Sequence, residues 1–393
     1  MAKRVILHVG APKTGTSFVQ DRLFRNPEAL AAQGVSYPGD RHDAHFLAAL
    51  DLIGLKWGGL EHEAVGHWER LAADVRRHDG TVIISHEIFG IASPEHVKQA
   101  FASFGDAQID VVVSARDVAR QIPAEWQENI KHRRQLGYSD FLKRIQDPAR
   151  DSVLGWWFWG VQHIPEVLAR WGADLPAERV HVVTVPPAGA DSGLLWQRFM
   201  QVFEIDDAAF TGEAERANPS LGVPETTLVR RLNALLKPAL PNHHYRGLVR
   251  ETLVHQNLSA RRDSPRLALP PAAAQWAHDL AVEWVAAIKA AGNHVVGDLS
   301  ELVPTEAGVF TDPDAPDEAQ VAEAGVAGLA AMTLEAARII DEKDARIQEL
   351  TDAIARIESA PDYRLKKGLV RLAHTNPFGK AGLGAYRKLF SRD

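Results

Sequence analysis

The turn after the first apolar segment concentrates residues that could bind an anion. The buried strand predicted over Val5-Ile-Leu-His-Val9 leads directly into Gly10-Ala-Pro-Lys-Thr-Gly-Thr-Ser17, which carries one lysine and three hydroxyl groups. Helical spacing of apolar residues then runs from Ser17 to Ala32. In such a unit the unpaired N–H groups of the helix N-terminus converge on the turn, and the helix dipole adds positive potential. The sequence therefore predicts a site for a phosphate-like group.

The position of the lysine distinguishes this turn from the loop of kinases and ATPases. Gly10 and Gly15 match the glycines of the Walker pattern G-x-x-x-x-G-K-[ST], but Thr16 stands where that pattern has its lysine. Lys13 lies inside the loop, where its side chain can reach a phosphate-like group from the side. A generic phosphate loop, or a strand–turn–helix with incidental glycines, is the alternative interpretation.

The segment Pro12-Lys-Thr-Gly-Thr-Ser17 resembles the 5′-phosphosulfate-binding loop of the PAPS-dependent sulfotransferases, PAPS being 3′-phosphoadenosine 5′-phosphosulfate. The resemblance implies PAPS as the sulfuryl donor and PAP as the product. It also implies that Lys13 is catalytic and contacts the transferring sulfuryl group and its bridging oxygen. The donor's 5′-phosphate would be held by Thr14, Gly15, Thr16 and Ser17. Phe18 falls where cytosolic members carry an adenine-stacking tryptophan, so it is a candidate adenine contact.

A second part of the chain resembles the family's 3′-phosphate site. The apolar run Ile109-Asp-Val-Val-Val-Ser114 predicts a strand, and Arg116 follows it. An arginine suits a phosphate because its planar guanidinium donates two parallel hydrogen bonds. The family pattern adds a serine eight residues later, where this chain has Ala124. Candidate donors in its place are Arg120, Arg216, Asn218 and Ser220. Alternatively, Arg116 simply pairs with Asp117.

The reaction implied by the resemblance needs a base, since the acceptor hydroxyl must lose its proton as it attacks the sulfur. The predicted strand Thr81-Val-Ile-Ile-Ser85 is followed by His86 and Glu87. Members of the family carry the base just beyond this strand, as a histidine in cytosolic enzymes and as a glutamate in many enzymes that sulfate glycans. The resemblance therefore implies Glu87 as the base, with His86 as the second candidate. The alternative is an acid that caps the following turn. No metal is expected.

Four residues are candidates for contacts with the acceptor: His42, His45, Trp126 and His132. The two histidines of His42-Asp-Ala-His45 fall between the first helix and the second strand, where the family usually builds its acceptor pocket. They could instead bind a metal or form ordinary polar surface. Trp126 and His132 follow Arg116 on one predicted helix together with Gln127, Glu128 and Lys131. Trp126 could equally be a core residue.

The elements that must position these residues alternate between strands and helices. That order predicts an α/β fold with a central parallel sheet flanked by helices. The resemblance covers residues 1 to about 220 and implies the P-loop-like sulfotransferase fold. We expect the α/β domain to span residues 1–303, with a C-terminal helical extension. The helical pattern from Val118 to Gln135 contains Pro123, which should kink the helix or start a new segment.

The C-terminal part changes composition in three steps. Residues 304–331 are rich in acids, proline, alanine and glycine, which predicts a linker. Residues 332–360 carry Ile340, Ile347 and Ile354 at heptad spacing, which indicates a coiled coil and a possible homo-oligomer, although Lys343 occupies a d position. Residues 361–393 hold eight Lys or Arg and two Asp, giving a basic, partly amphipathic tail. It could contact an anionic membrane surface, remain a solvated arm or dock on the acidic body of the protein.

Composition excludes several classes of protein. The 393 residues carry a net charge of −7, which argues against a general nucleic-acid binder. Cysteine is absent, so thiolate chemistry, disulfides and cysteine-ligated zinc are excluded. Neither a signal peptide nor a membrane span is indicated, and we expect a cytoplasmic protein that could contact the inner face of the membrane.

Three functions stay open at this point. The first is a sulfotransferase acting on a hydroxyl of a glycan, glycolipid or related bacterial metabolite. The second is a P-loop kinase or NTPase acting on small molecules. The third is a non-catalytic nucleotide-fold scaffold.

Overall fold

The computed structural model describes residues 2–213, 220–237, 239–305 and 308–375, together with 378, 381, 382 and 385. Within these residues one sheet contains six strands in the order β2-β3-β1-β4-β5-β6, and every pair is parallel. The strands are β1 Arg4–His8, β2 Val35–Ser36, β3 Thr81–Ser85, β4 Gln108–Ala115, β5 Val180–Thr184 and β6 His294–Val296. The predicted α/β class with a parallel sheet is confirmed.

Helices connect the strands and cover the sheet. The first half of the chain forms α1 Thr16–Phe24, α2 Pro27–Ala31, α3 Ala44–Ile53, α4 Glu61–Ala64, α5 His67–Arg77, α6 Pro94–Ala102, α7 Val118–Lys131, α8 Tyr138–Ile145, α9 Val153–Gln162 and α10 Ile164–Gly172. The second half forms α11 Leu194–Phe203, α12 Val223–Leu236, α13 Asn242–His244, α14 Pro271–Ala291, α15 Glu318–Ser359 and α16 Pro361–Thr375. A π-helical segment, Tyr245–Asn257, follows α13, and short 3₁₀ turns include Glu87–Ile91 directly after β3.

Proline has different effects at two places in these helices. The continuous helix predicted over residues 17–32 is divided, since α1 ends at Phe24 and α2 begins at Pro27. The proline has no N–H to donate and disfavours helical geometry at the residue before it. Pro123, in contrast, lies inside the single helix α7 and does not start a new segment.

The strand order creates a crevice beside the central strand. The chain leaves β1 toward β2 and β3 on one side, whereas it leaves β4 toward β5 and β6 on the other. Ligands of open parallel sheets bind at the carboxyl ends of the strands where the order reverses in this way. The turn at residues 9–15 follows β1 and Arg116 follows β4, so both adjoin this crevice. Glu87 follows β3, the other neighbour of β1.

The core surrounds β1 on both faces, as a central parallel strand requires. Val5, Ile6 and Leu7 are fully buried. Ile6 belongs to an apolar cluster with residues of α1 and α11, among them Val19 and Phe199. This packing fixes the strand from which the glycine-containing turn emerges.

The chain divides into two compact units, Met1–Ala327 and Gly328–Asp393. The first contains the sheet. Part of the segment that the sequence predicts as a linker is helical, because α15 begins at Glu318, and alanine-rich sequence favours a helix. Before that helix, Asp314 accepts hydrogen bonds from the backbone N–H of Tyr138 and Ser139 at 3.1 and 2.9 Å. This stretch is thereby anchored on α8.

The second unit contains most of α15 and all of α16. Its heptad positions leave apolar side chains exposed, with Ile340 58%, Ile347 61% and Ile354 59% accessible. No helix among the described residues is long and apolar enough to cross a membrane.

Candidate active site

The turn after β1 is tied to β4 and depends on a glycine at its end. The N–H of Val9 donates to the carbonyl of Val112 at 3.0 Å, and the N–H of Ala11 donates to the carbonyl of Ser114 at 2.8 Å. The first residues of the turn therefore lie beside the last residues of β4. Gly15 caps α1 with φ 87°, a left-handed conformation that favours glycine. A Cβ atom at Gly15 would lie 2.6 Å from Leu195 Cδ2, so a side chain there would displace Leu195. Glycine at this position therefore suits both the left-handed backbone and the close approach of Leu195.

The hydroxyl residues of the turn divide between its inner and outer sides. Thr14 is buried, and its hydroxyl donates to the carbonyl of Ala11 at 2.6 Å and lies 2.5 Å from Ser114 Oγ. Thr16 is also buried and hydrogen-bonds to the Glu87 carboxylate. Ser17 is half-buried, as is Gly15. Thr14 thus braces the turn from below, while Gly15 and Ser17 remain accessible at its surface.

Phe18, the candidate adenine contact, is half-buried at the start of α1. Its ring meets Trp196 of α11 edge-on, with 6.0 Å between the centroids. Arg22 lies over Trp196, 4.4 Å from that ring's centroid. Phe18 is consequently held by packing on one side and partly open on the other.

A buried histidine lies under the turn. His8 Nε2 is 3.1 Å from Ser114 Oγ and Nδ1 is 2.7 Å from Ser85 Oγ, so the ring connects the ends of β4 and β3. Burial lowers the pKa of His8 to about 4, which keeps the ring neutral at pH 7. Gln20 of α1 continues the chain of contacts, donating to Ser85 Oγ at 3.3 Å and to Glu87 Oε2 at 3.2 Å. The turn and Glu87 are therefore joined by continuous hydrogen bonds.

Glu87 is half-buried at the start of the 3₁₀ turn after β3. Burial on its own would raise the pKa of this carboxyl group, but interaction with His86 and its own backbone N–H lowers it. Hydrogen bonds from Gln20 and Thr16 act in the same direction, and the net pKa lies below the ordinary 4.5. Glu87 is therefore a carboxylate at neutral pH and can accept a proton.

His86 has a different local role from Glu87. Its Nδ1 accepts a hydrogen bond from the N–H of Ile88 at 3.2 Å, so its side chain caps the 3₁₀ turn. Burial lowers the pKa of His86, and Glu87 only partly offsets this effect. The capping interaction that the sequence left open for Glu87 is thus made by His86.

Lys13 points at an acid on α7. The residue adopts φ 64°, and its ammonium group hydrogen-bonds to Glu128, whose other oxygen lies 3.1 Å from His132 Nε2. Burial would raise the pKa of Glu128, but Lys13 and His132 hold it well below its ordinary value. Glu125 lies one helical turn earlier, and burial raises its pKa to about 7 although Lys13 opposes the shift. The positive charge in the turn therefore faces two acids.

Arg116 reaches the same turn from the end of β4. Its Nη1 donates to the carbonyl of Lys13 at 3.2 Å, whereas its buried Nε has no partner among the described residues. Burial lowers the pKa of Arg116 to about 10, and the nearby Arg120 adds to the effect. Asp117 pairs with Arg120 rather than with Arg116. Arg116 accordingly retains a donor that an anion could use.

The other candidates for the 3′-phosphate are arranged less favourably. Arg120 is occupied by Asp117 and by the carbonyl of Pro186, at 3.2 and 3.3 Å from its two Nη atoms. Ser220 is exposed, and its carbonyl accepts from Arg266 at 3.3 Å. Arg216 and Asn218 lie outside the described residues.

Three of the four predicted acceptor residues are held within the fold. His42 Nε2 lies 3.1 Å from Asp21 Oδ1. His45 is buried between the carbonyl of Pro38 at 2.6 Å and the N–H of Ser85 at 3.1 Å, and burial lowers its pKa to about 4. Trp126 is fully buried and donates its indole N–H to Leu136 at 3.0 Å. His132, about a third exposed, is the one that reaches the Lys13–Glu128 pair.

Sequence reasoning missed His8 and Glu125. His8 stands within an apolar strand, where the pattern indicates core. Glu125 precedes Glu128 by three residues on α7, a spacing that puts both acids on one helix face and could have revealed it. Within the described ranges no group of three or more His, Asp or Glu side chains is arranged to hold a metal ion.

Comparisons with known proteins add little to this description. No family model matches the chain, and no curated protein matches it. Among solved structures, a sulfotransferase from Alicyclobacillus acidocaldarius is similar to this chain at 18% identity, with a TM-score of 0.36. The alignment covers 65% of this chain and 97% of that chain. The assignment of an activity therefore depends on the residues of the site.

Proposed function

We propose that this chain is a sulfotransferase that transfers a sulfuryl group from PAPS to a hydroxyl group of a glycan, glycolipid or related bacterial metabolite. The observation that carries the proposal is the convergence of three groups at one edge of the sheet. Lys13 follows β1, Arg116 follows β4 and donates to the carbonyl of Lys13 at 3.2 Å, and Glu87 follows β3. Lys13 provides a cation, the guanidinium group of Arg116 can bind an anion, and Glu87 can act as a base, as sulfuryl transfer requires.

The donor site would consist of the turn and the end of β4. Gly15, Ser17 and the first turn of α1 would hold the 5′-phosphate, and Arg116 the 3′-phosphate. The buried Arg116 Nε without a partner fits this role, because an unpaired buried donor is costly until a ligand accepts from it. Phe18 would lie against the adenine.

PAPS supplies a sulfuryl group attached to a phosphate oxygen. In the transfer, the acceptor hydroxyl oxygen forms a bond to sulfur, its proton passes to Glu87, and the bond from sulfur to the bridging oxygen breaks to leave PAP. Lys13 would stabilise the negative charge that develops on that oxygen. Before the transfer, the ammonium group of Lys13 must leave the carboxylate of Glu128 and bind PAPS instead.

A phosphotransferase that uses ATP is the principal alternative, and ligand stabilisation distinguishes the two. A ligand that binds only the folded protein raises its melting temperature. We expect PAP to raise the melting temperature of the wild type, and ATP with Mg²⁺ to have a smaller effect. A larger shift with ATP and Mg²⁺ would contradict the proposal. An unchanged PAP shift in Lys13→Ala would favour the non-catalytic scaffold.

We also propose that the exposed heptad face of α15 pairs with a second copy of the chain. Ile340, Ile347 and Ile354 occupy successive a positions, and Leu350 and Ile357 occupy d positions; all five are exposed in the single chain. Sedimentation equilibrium tests this pairing. A dimer that Ile347→Glu dissociates is expected, and a monomer at every concentration would contradict it.

The basic tail remains a candidate membrane contact. Helix α16 carries Lys366 and Lys367 on exposed positions, and much of the chain after this helix lies outside the described residues. Sedimentation with anionic vesicles, with and without residues 361–393, tests the contact. Equal binding of the two proteins to the vesicles would show that the tail makes no membrane contact. The cytoplasmic location stays a prediction.

A further inference from the structure

Three aromatic side chains from separate elements form a continuous row, here called the aromatic wall. Phe46 belongs to α3, Trp57 to the loop after it and Trp157 to α9. Ring centroids are 5.9 Å apart between Phe46 and Trp57, and 5.5 Å between Trp57 and Trp157. Such distances are those of direct aromatic contacts.

The aromatic wall joins the two sides of the candidate active site. At one end, the Phe46 ring lies 5.1 Å from the ring of His86, the neighbour of the candidate base Glu87. Farther along, the Trp57 ring lies 6.1 Å from that of His132. His132 in turn reaches Glu128, which holds Lys13. A molecule against these rings would extend between the proton acceptor and the cation.

The three rings are fixed in place yet incompletely covered. All are half-buried, unlike Trp68, Trp126 and Trp171, which lie in the core. The backbone N–H of Trp57 donates to Glu61 Oε2 at 2.9 Å, and the side chain of Trp157 interacts with buried Glu125. Aromatic surface that is positioned in advance and left partly open suits a ligand that has a flat face.

We propose that the aromatic wall binds the acceptor, and that the acceptor is an uncharged, ring-containing alcohol whose flat face packs on Trp57 and Trp157. This inference rests on the proposed function. A planar aromatic ring and the C–H face of a pyranose share this chemistry. The negatively polarised ring faces disfavour an anion. In addition, the nearby cations Lys13 and Arg250 already pair with Glu128.

Calorimetry with PAP-saturated protein tests the proposal. The probes are 2-naphthol, octyl β-D-glucopyranoside below its micelle concentration and the acyclic alcohol 1-octanol. We expect at least one ring compound to bind and 1-octanol to bind at least about tenfold more weakly, since stacking is lost. Binding of 2-naphthol alone would indicate an aryl acceptor, and binding of the glucoside alone a sugar. Binding of neither ring compound, or equal binding of 1-octanol, would overturn the proposal.

Variants connect the binding to the wall. Trp57→Ala and Trp157→Ala should each lower the affinity for the ring compound about tenfold, while Trp57→Phe should retain most of that affinity. Trp276→Ala is the matched control, because Trp276 is a half-buried tryptophan that packs on Trp159 instead. Each variant is first titrated with PAP to show that it is folded. Unchanged ring binding in both wall variants would overturn the inference, whereas absence of PAP binding by the wild type would overturn the proposed function itself.

Discussion

The ammonium group of Lys13 is paired with the carboxylate of Glu128, 115 residues later in the chain. The two side chains are only 17% and 15% exposed. An ion pair so shielded from water is screened much less than a surface pair. The cation of the turn is therefore already matched, and an anionic ligand has to compete with Glu128.

Removing the charge of Glu128 should strengthen donor-site binding. In Glu128→Gln the ammonium group of Lys13 is no longer neutralised, and we expect PAP to bind roughly threefold to tenfold more tightly, as measured by calorimetry. Glu318→Gln is a suitable control, since Glu318 pairs with Arg231 on an exposed surface and should leave the affinity unchanged. Weaker PAP binding by Glu128→Gln would contradict the prediction, because it would mean that the carboxylate contributes to PAP binding.

Glu87→Gln should slow transfer strongly while PAP binding survives. Loss of a general base reduces kcat about a hundredfold or more. Because the pKa of Glu87 is lowered, the carboxylate is already deprotonated throughout pH 5 to 8, and the wild-type kcat should show no acid limb in that range. Kinetics across this interval check both points. A limb near pH 7 that disappears in Glu125→Gln would assign the base to Glu125, whose pKa is raised to about 7.

His8 should make the protein less stable as the pH falls below neutrality. Its pKa is lowered to about 4 in the folded state, so between pH 6.5 and 4 the unfolded chain binds a proton that the folded chain does not. The stabilisation is complete above pH 6.5 and is lost as the pH falls toward 4, by about 2 kcal/mol between pH 7 and 5.

Urea unfolding at pH 7 and 5 measures this effect. The loss of unfolding free energy on acidification should be smaller in His8→Gln than in the wild type by about that 2 kcal/mol. His62→Gln, at an exposed position of α4, should retain the wild-type loss. An equal loss in His8→Gln and the wild type would show that His8 does not control the response.

The turn and its flanking strands were predictable because local patterns define them. An apolar run ending at a glycine identified β1, and similar runs identified β3 and β4 within a residue or so of their observed bounds. Each of the candidates Lys13, Glu87 and Arg116 was placed just after one of these strands. The roles of these three residues stay a prediction.

Contacts set by tertiary packing could not be predicted in the same way. Whether the side chains of Trp126 and His45 face the solvent or the core depends on the elements that pack against them. In this fold both side chains are buried. The Lys13–Glu128 pair joins residues far apart in sequence, and nothing local to either one indicates the other. Strand β6, only three residues long, is ordered by its pairing with β5.

Calorimetric titration with PAP tests the central claim most directly. We expect binding in the micromolar range by the wild type, and at least about tenfold weaker binding by Lys13→Ala and Arg116→Ala, since each loses a charge-assisted hydrogen bond. Lys3→Ala, which removes an exposed lysine paired with Asp79, should bind as the wild type does. Absence of PAP binding by the wild type, or equal affinity in all four proteins, would contradict the proposed donor site.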